Sequence, residues 1–565
     1  MKFLKLGVLV LIVQSAVVLS LSAQEVPDQI YTKGKIITVD DYYFSIQQAI
    51  AVAGDRIVAV GTTEAISELA GPETQIIDLL GKAVVPGLID NHNHVVRATE
   101  YWPNEARLDG VTSRARALEM LRDKVQHLSD DAWLMSLGGW QESQFTDSQV
   151  DFTMAELDGL ASDRPVFLQS VYHHAYGNTA WFEAMGIPIS ASPESTGEPE
   201  GLSKYAARDE SGKITGKLNG GFPMITEAIK QFPPVSADQQ VDAIKIAFNY
   251  MNSIGLTSVF DPGGVGIKQE SYSRTQALAK SEGINVRIFH TLNADVPATS
   301  EAADLLVDRI RSTKPFQGNS TFDLVAMGEI YYGPFHWDGV FDPVTPEPAD
   351  IEEGRKILTA AADGGWPVQT HAMQPETMDV LLDVMTDINE EYPIRQLRWS
   401  ITHADNIGAA QIERARHLGM NLQMRSISVL GDRQPVVEKF GDAAYDMPPM
   451  RLVQDSGIPF GLGTDGTKAN QIAPFVTLWW AVTGKALSGE SVMRQTLTRE
   501  EALIAHSRSN AYLMFQEANL GSIKPGLLAD MLVLDRDYLT VPEDQIKDIR
   551  PVATIVGGRL VSGEL

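Results

Sequence analysis

Four histidines and one aspartate stand where a hydrolytic metal site would need them. His92 and His94 close the apolar stretch "GLIDNHNH", His371 ends "PVQTH", His403 ends "WSITH", and Asp465 follows "GLGT". Each stretch reads as a short buried strand. Residues two apart on a strand point to the same side, so both imidazoles of the His92/His94 pair can reach one ion while Asn93 faces away. Imidazole and carboxylate together are the donor set that Zn2+ or a similar divalent ion takes for hydrolysis. The chain has no cysteine, which excludes thiolate-held zinc, iron–sulfur clusters, disulfides and a thiol nucleophile.

Such a set does chemistry only if the fold converges it. From about residue 240 one unit recurs: an amphipathic helix, a glycine stop, then a short apolar strand. Asp238–Ser253 reads as a helix with Ile244, Ala247, Phe248 and Met251 on one face. The later units place their stops at Gly283, Gly364, Gly419 and Gly457. Eight strands are expected: Val84–His92, Leu256–Phe260, Val286–His290, Phe322–Gly328, Pro367–His371, Trp399–His403, Met420–Met424 and Ile458–Gly463. Helices alternating with buried strands make an α/β protein with a parallel sheet, and eight such strands make a TIM-like (β/α)8 barrel. Active sites in that fold lie at the C-terminal strand ends, where the histidines and Asp465 fall.

The barrel is expected over 87–514, with an insertion at about 97–240 that is too long for one crossover. The ends, 24–86 and 515–565, consist of short β runs and turns, Gly557-Gly558 among them. They are expected to form one small composite β-sandwich domain from both termini. Residues 1–23 read as a secretory signal peptide: Lys2 and Lys5, an apolar core, then small residues up to Ala23. The expected location is therefore periplasmic or secreted. The net charge of -27 disfavours nucleic acid and anionic membranes as partners. A small-molecule substrate is expected, with no stable membrane insertion once the leader is removed. The sequence is compatible with a homo-oligomer.

"VVPGLIDNHNH", "THAM", "ITHAD", "GLGTDG" and the C-terminal block "NLGSIKPGLLADMLVLDRD…PVATIVGGRLV" together resemble the amidohydrolase superfamily. More narrowly the chain is similar to its YtcJ-like, amidohydrolase-3 group, which includes N-substituted formamide deformylases. The resemblance implies hydrolysis of a C–N bond with one or two divalent ions, of which Zn2+ is the first expectation. It implies His92, His94, His371 and His403 as ligands and Asp465 as ligand and general base. A deaminase or an ester or lactone hydrolase would carry the same ligands, and a non-catalytic binding protein could retain the fold. Many relatives have a metal-bridging lysine on strand four; here "TFDLVAMGEIYYG" has none, and Glu329 is either the substitute bridge or a plain loop residue. Four residues are candidates for substrate contact: Trp140, His174, Asn178 and Tyr331. His174 and Asn178 match the group's spacing, and ordinary packing of the insertion is the alternative for all four.

Overall fold

The structure is a computed structural model that describes residues 25–40, 44–190, 200–265, 267, 269–292, 297–431 and 433–565. The expected leader over 1–23 lies outside them. Eight parallel strands form the centre: β1 (Leu88–Asp90), β2 (Leu256–Asp261), β3 (Arg287–Leu292), β4 (Phe322–Met327), β5 (Gln369–Ala372), β6 (Ser400–His403), β7 (Asn421–Arg425) and β8 (Phe460–Gly463). They pair in chain order as two four-stranded sheets, β1 to β4 and β5 to β8. The outer strands of the two sheets meet at both edges, through bridges Met327–Val368 and Asn93–Gly466.

The β1–β8 edge is stitched by side chains. Asp90 accepts hydrogen bonds from the Thr464 backbone N–H at 3.0 Å and its hydroxyl at 2.6 Å. The Asn510 amide donates to the carbonyls of Ile89 on β1 and Leu462 on β8. Gly463 has to be glycine at this edge, because a Cβ would run into Asn91 and Asp90.

The helices follow the expected periodicity. In Ala237–Ser253 the Ser236 and Gln239 side chains cap each other's backbone N–H groups. Ile244, Ala247, Phe248 and Met251 are buried. Gly255, Gly283, Gly419 and Gly457 take positive φ as helix stops. One differs: Gly364 stays right-handed, and Gly365 makes the turn at φ 70°.

The expected first strand, Val84–His92, is two strands. Ala83–Pro86 belongs to a six-stranded sheet with Lys35–Ile37, Ile46–Gln47, Met531–Leu534, Pro551–Val556 and Arg559–Gly563. After Gly87 the chain turns into β1. Chain from both ends thus shares one sheet, with Gly557 and Gly558 forming the last hairpin turn at φ 54° and 72°. A four-stranded sheet from the N-terminal region packs on it through Tyr31, Ile50 and Val52 against Met531, Val533 and Ile555. The insertion carries a five-stranded sheet in which Leu134–Leu137, Val166–Ser170 and His174–Gly177 are neighbours. No helix among the described residues is long and apolar enough to cross a membrane.

A buried ion pair ties the centre to the terminal sheet. Arg287 on β3 binds Asp530 with two hydrogen bonds of 2.7 and 2.9 Å, and both side chains are buried. Removing one partner leaves a buried unpaired charge. Arg287→Ala is therefore expected to cost about 3–5 kcal/mol, read as a lower urea midpoint. A change under about 1 kcal/mol would mean that Asp530 finds water or another cation.

Candidate metal centre

Asp90, the last residue of β1, organises the entry to the site. Its carboxylate accepts from the His92 backbone N–H at 3.1 Å and from the Asn93 amide at 2.9 Å. His92 thus lies just past the strand rather than on it. Its carbonyl accepts from the Asp465 N–H at 2.8 Å, which brings the ends of β1 and β8 together. Asp465 and His403 have φ of 60° and 71°, a backbone region that costs a side-chain-bearing residue about 1–2 kcal/mol. Such turns recur at functional sites; here they end β6 and β8 abruptly and bring both groups to one spot.

Glu329 lies at the centre of that spot. Its Oε2 is 3.4 Å from His92 Nε2, 3.4 Å from His371 Nδ1 and 3.1 Å from His403 Nε2. Its Oε1 is 3.4 Å from His94 Nε2, and Asp465 Oδ1 is 3.2 Å from the same nitrogen. All six side chains are buried. Two donors about 2.1 Å from one tetrahedral ion lie about 3.4 Å apart, so these spacings fit shared ions.

The outer hydrogen bonds set the tautomers. His94 Nδ1–H donates to the Gly263 carbonyl at 2.7 Å, leaving the Nε2 lone pair facing inward. His371 is the reverse: Nε2–H donates to the Asp338 carbonyl at 3.0 Å, and Nδ1 faces Glu329. His336 in turn donates through Nδ1 to the His371 carbonyl. Such partners orient metal-ligating histidines and fix their tautomer. His92 Nε2 and His371 Nδ1 are buried with no hydrogen-bond partner, as expected of nitrogens reserved for an ion.

Without an ion, the carboxylates and imidazoles of the centre answer one another's charge. Burial opposes ionisation of Glu329, but His92, His371 and His403 outweigh it and hold the carboxyl well below its usual range. Asp465 is likewise lowered against its burial, by His94, His403, Arg425 and His92. Burial works against a charged His371, yet Asp338 and Glu329 raise it to about 10. His403 falls to about 4 through burial and the neighbouring Arg425 and His371, which keeps its lone pair available. Two groups able to hold an ion meet here, His92–His94–Asp465 and His92–Glu329–His403. A third such group, Glu142–Asp151–His174, lies in the insertion. There Tyr176 donates to both carboxylates and Lys217 neutralises Asp151.

A cavity of about 520 Å3 opens above the centre, lined by His94, Glu329, His371, His403 and Asp465 and by side chains of the insertion and strand-end loops. The four substrate candidates do not line it. Trp140 is fully buried between Phe145 and Phe152. Asn178 caps the helix Thr179–Ala184 and bonds the Val166 N–H and the Ala161 and Arg164 carbonyls. His174 bonds Glu142 and Tyr176, and Tyr331 packs on His336. Gln141, His173 and Ile330, adjacent in the chain to Trp140, His174 and Tyr331, line the cavity instead, as does Tyr172.

Sequence reasoning passed over Arg425, Asp405 and Asp338. Arg425 ends β7, binds Asp405 and donates to Asp465 Oδ2 at 2.6 Å. Its strand-end position was a readable signal, as was Asp405 two residues beyond His403. Asp338 lies in a loop and carried none.

The chain belongs to the Amidohydrolase family, whose model matches residues 75–562. It is similar to N-substituted formamide deformylase of Arthrobacter pascens, 25% identical over 532 residues, covering 91% of this chain and 95% of that protein. It is also 25% identical to the putative amidohydrolase YtcJ of Bacillus subtilis, covering 91% and 96% respectively. In fold it resembles an uncharacterized metal-dependent hydrolase of Pyrococcus horikoshii, with a TM-score of 0.61 and 22% identity, covering 91% of this chain and 99% of that one. By family the chain is an enzyme, a hydrolase.

The place of Asn178 makes a testable distinction. Asn178→Ala removes a buried cap and leaves backbone groups unpaired, which is expected to cost about 1–3 kcal/mol in chemical denaturation. Metal content per folded chain should stay at the wild-type value. Unchanged stability with altered metal content would return Asn178 to the site.

Proposed function

We propose that this chain is an exported hydrolase that cleaves an amide-type C–N bond at a two-ion site bridged by Glu329. The observation that carries this reading is the convergence of four histidine ring nitrogens on one buried carboxylate. His92, His94 and Asp465 would hold one ion, His371 and His403 the other, with one Glu329 oxygen toward each set. The eight strands are read as one closed (β/α)8 barrel covered by the 97–240 insertion, and the terminal sheets as one composite sandwich. Export rests on the leader-like sequence of 1–23.

Divalent ions of the zinc type, when bound there, polarise the scissile carbonyl and acidify water toward neutrality. The chain's own part is proton handling and orientation. Asp465, kept ionised by Arg425 and the histidines, accepts the proton as the water oxygen bonds to the carbonyl carbon. The C–N bond then breaks, the nitrogen takes that proton, and the products are a carboxylic acid and an amine. Asp338 and His336 hold His371 in register, and the insertion limits bulk water above the cavity.

The name of the Arthrobacter relative makes N-substituted formamides the first substrates to try. Elemental analysis of protein purified without chelators is expected to find two equivalents of divalent metal, falling to one or fewer in Glu329→Gln. No metal after reconstitution would overturn the reading. Asp465→Asn is expected to lower kcat by about 10²–10⁴-fold; full activity in that variant would move the proton role to another group.

A further inference from the structure

Three arginines line the cavity: Arg97, Arg425 and Arg433. Arg425 is committed to Asp405 and Asp465. Arg97 donates to the Val265 carbonyl and the Tyr172 hydroxyl. Neither Arg97 nor Arg433 pairs with a described carboxylate, and the more buried of the two is Arg433. It is 7% exposed, yet no described carboxylate pairs with it. One of its terminal nitrogens, Nη2, donates to the backbone carbonyls of Ala444 and Met447. Its Nε is buried without a partner.

Buried guanidinium groups are ordinarily paired with an anion, because a lone charge away from water is costly. Burial lowers the affinity of Arg433 for its proton, and the more distant Asp405, Tyr445 and Glu490 only partly offset this. The charge is thus held at the cavity wall without its complement. The opposite character prevails at the mouth: Trp337 and Phe341 are 40% and 37% exposed, Phe222 stands edge-on to Trp337, and Val436 lies on the wall three residues from Arg433.

The geometry points to a substrate that is an amide bearing both a carboxylate and an apolar group. Arg433 binds the carboxylate, the Trp337–Phe341–Phe222 rim covers the apolar group, and the amide reaches the histidine centre. This deepens the hydrolase proposed above and rests on that reading for the location of the reacting bond. A guanidinium is suited to the task, since its planar fork matches a carboxylate bidentately. Binding would also supply the counter-charge that Arg433 lacks.

The test compares 3-phenylpropionate with the neutral isostere 3-phenylpropanamide by titration calorimetry, on the full chain as purified with its metal content recorded. The wild type is expected to bind the carboxylate about 10–100-fold more tightly. Arg433→Gln keeps a donor for the Ala444 and Met447 carbonyls but removes the charge, and it is expected to reduce that ratio at least about tenfold. A merely structural Arg433 would weaken both ligands alike and leave the ratio unchanged. An unchanged ratio overturns the inference and assigns the anion to the metal centre or another arginine; so does a wild type with no preference. If Arg433→Gln does not fold, Arg433→Lys decides, with a fall of about threefold or more expected from losing the bidentate fork; a ratio equal to wild type overturns the inference. The assay needs no turnover. A protein that passes it and hydrolyses no amide overturns the hydrolase reading alone.

Discussion

A carboxylate buried among four imidazoles is tolerable only if positive charge lies on or between them, and much of the molecule follows from that requirement. Glu329 and Asp465 occupy a place where an unpaired anion would otherwise have to take up a proton. The histidines come from three separate strand ends, so the anions are stabilised only when the β1–β8 and β4–β5 edges are both in register. Asp90 secures the first of these edges, and the Met327–Val368 bridge marks the second. Tautomer control at His94 and His371 comes from backbone carbonyls, which cannot rotate away as a side chain can. The centre is therefore a property of the assembled strand ends rather than of any one segment.

The centre was legible in the sequence because strand-end position is a one-dimensional signal. A histidine or aspartate at the end of a short, largely apolar stretch declares its height along a strand, and His92, His94, His371, His403 and Asp465 all stand so. Glu329 was legible only as an alternative, since one carboxylate beyond a strand resembles any loop residue. The division of Val84–His92 between two sheets was hidden, because Pro86-Gly87 interrupts a run that stays apolar on both sides. The residues above the centre were least legible. In the insertion, Trp140 and Gln141 lie beyond the strand Leu134–Leu137, and sequence periodicity does not show which of them faces the cavity. Asp338 was invisible for a related reason: its role depends on a loop conformation that brings it beneath His371.

The cavity and the centre obey different rules of construction. Around Glu329 the ring nitrogens of four histidines lie within 3.4 Å of one carboxylate. Around Arg433 the wall is largely aromatic and aliphatic, and its guanidinium has no described carboxylate partner. On the reading proposed above, the centre selects the bond that is broken and the wall selects what is attached to it. Both are assembled from loops on rigid strands, an arrangement that lets one change without disturbing the other.

The six-stranded sheet has a consequence for how the chain acquires its structure. Ala83–Pro86 takes Met531–Leu534 as its antiparallel neighbour, a pairing that spans roughly 450 positions, and closing so long a loop spends entropy before any contact repays it. Until the last strands are available, the edge of Ala83–Pro86 is open and Asp530 is missing from Arg287. A nascent chain can therefore form helices and adjacent strand pairs early, but the sheet that joins its two ends closes late. Loss of the chain from Asp530 onward would expose a hydrogen-bonding edge beside an unneutralised arginine, a combination that favours association with other chains over completion of its own fold.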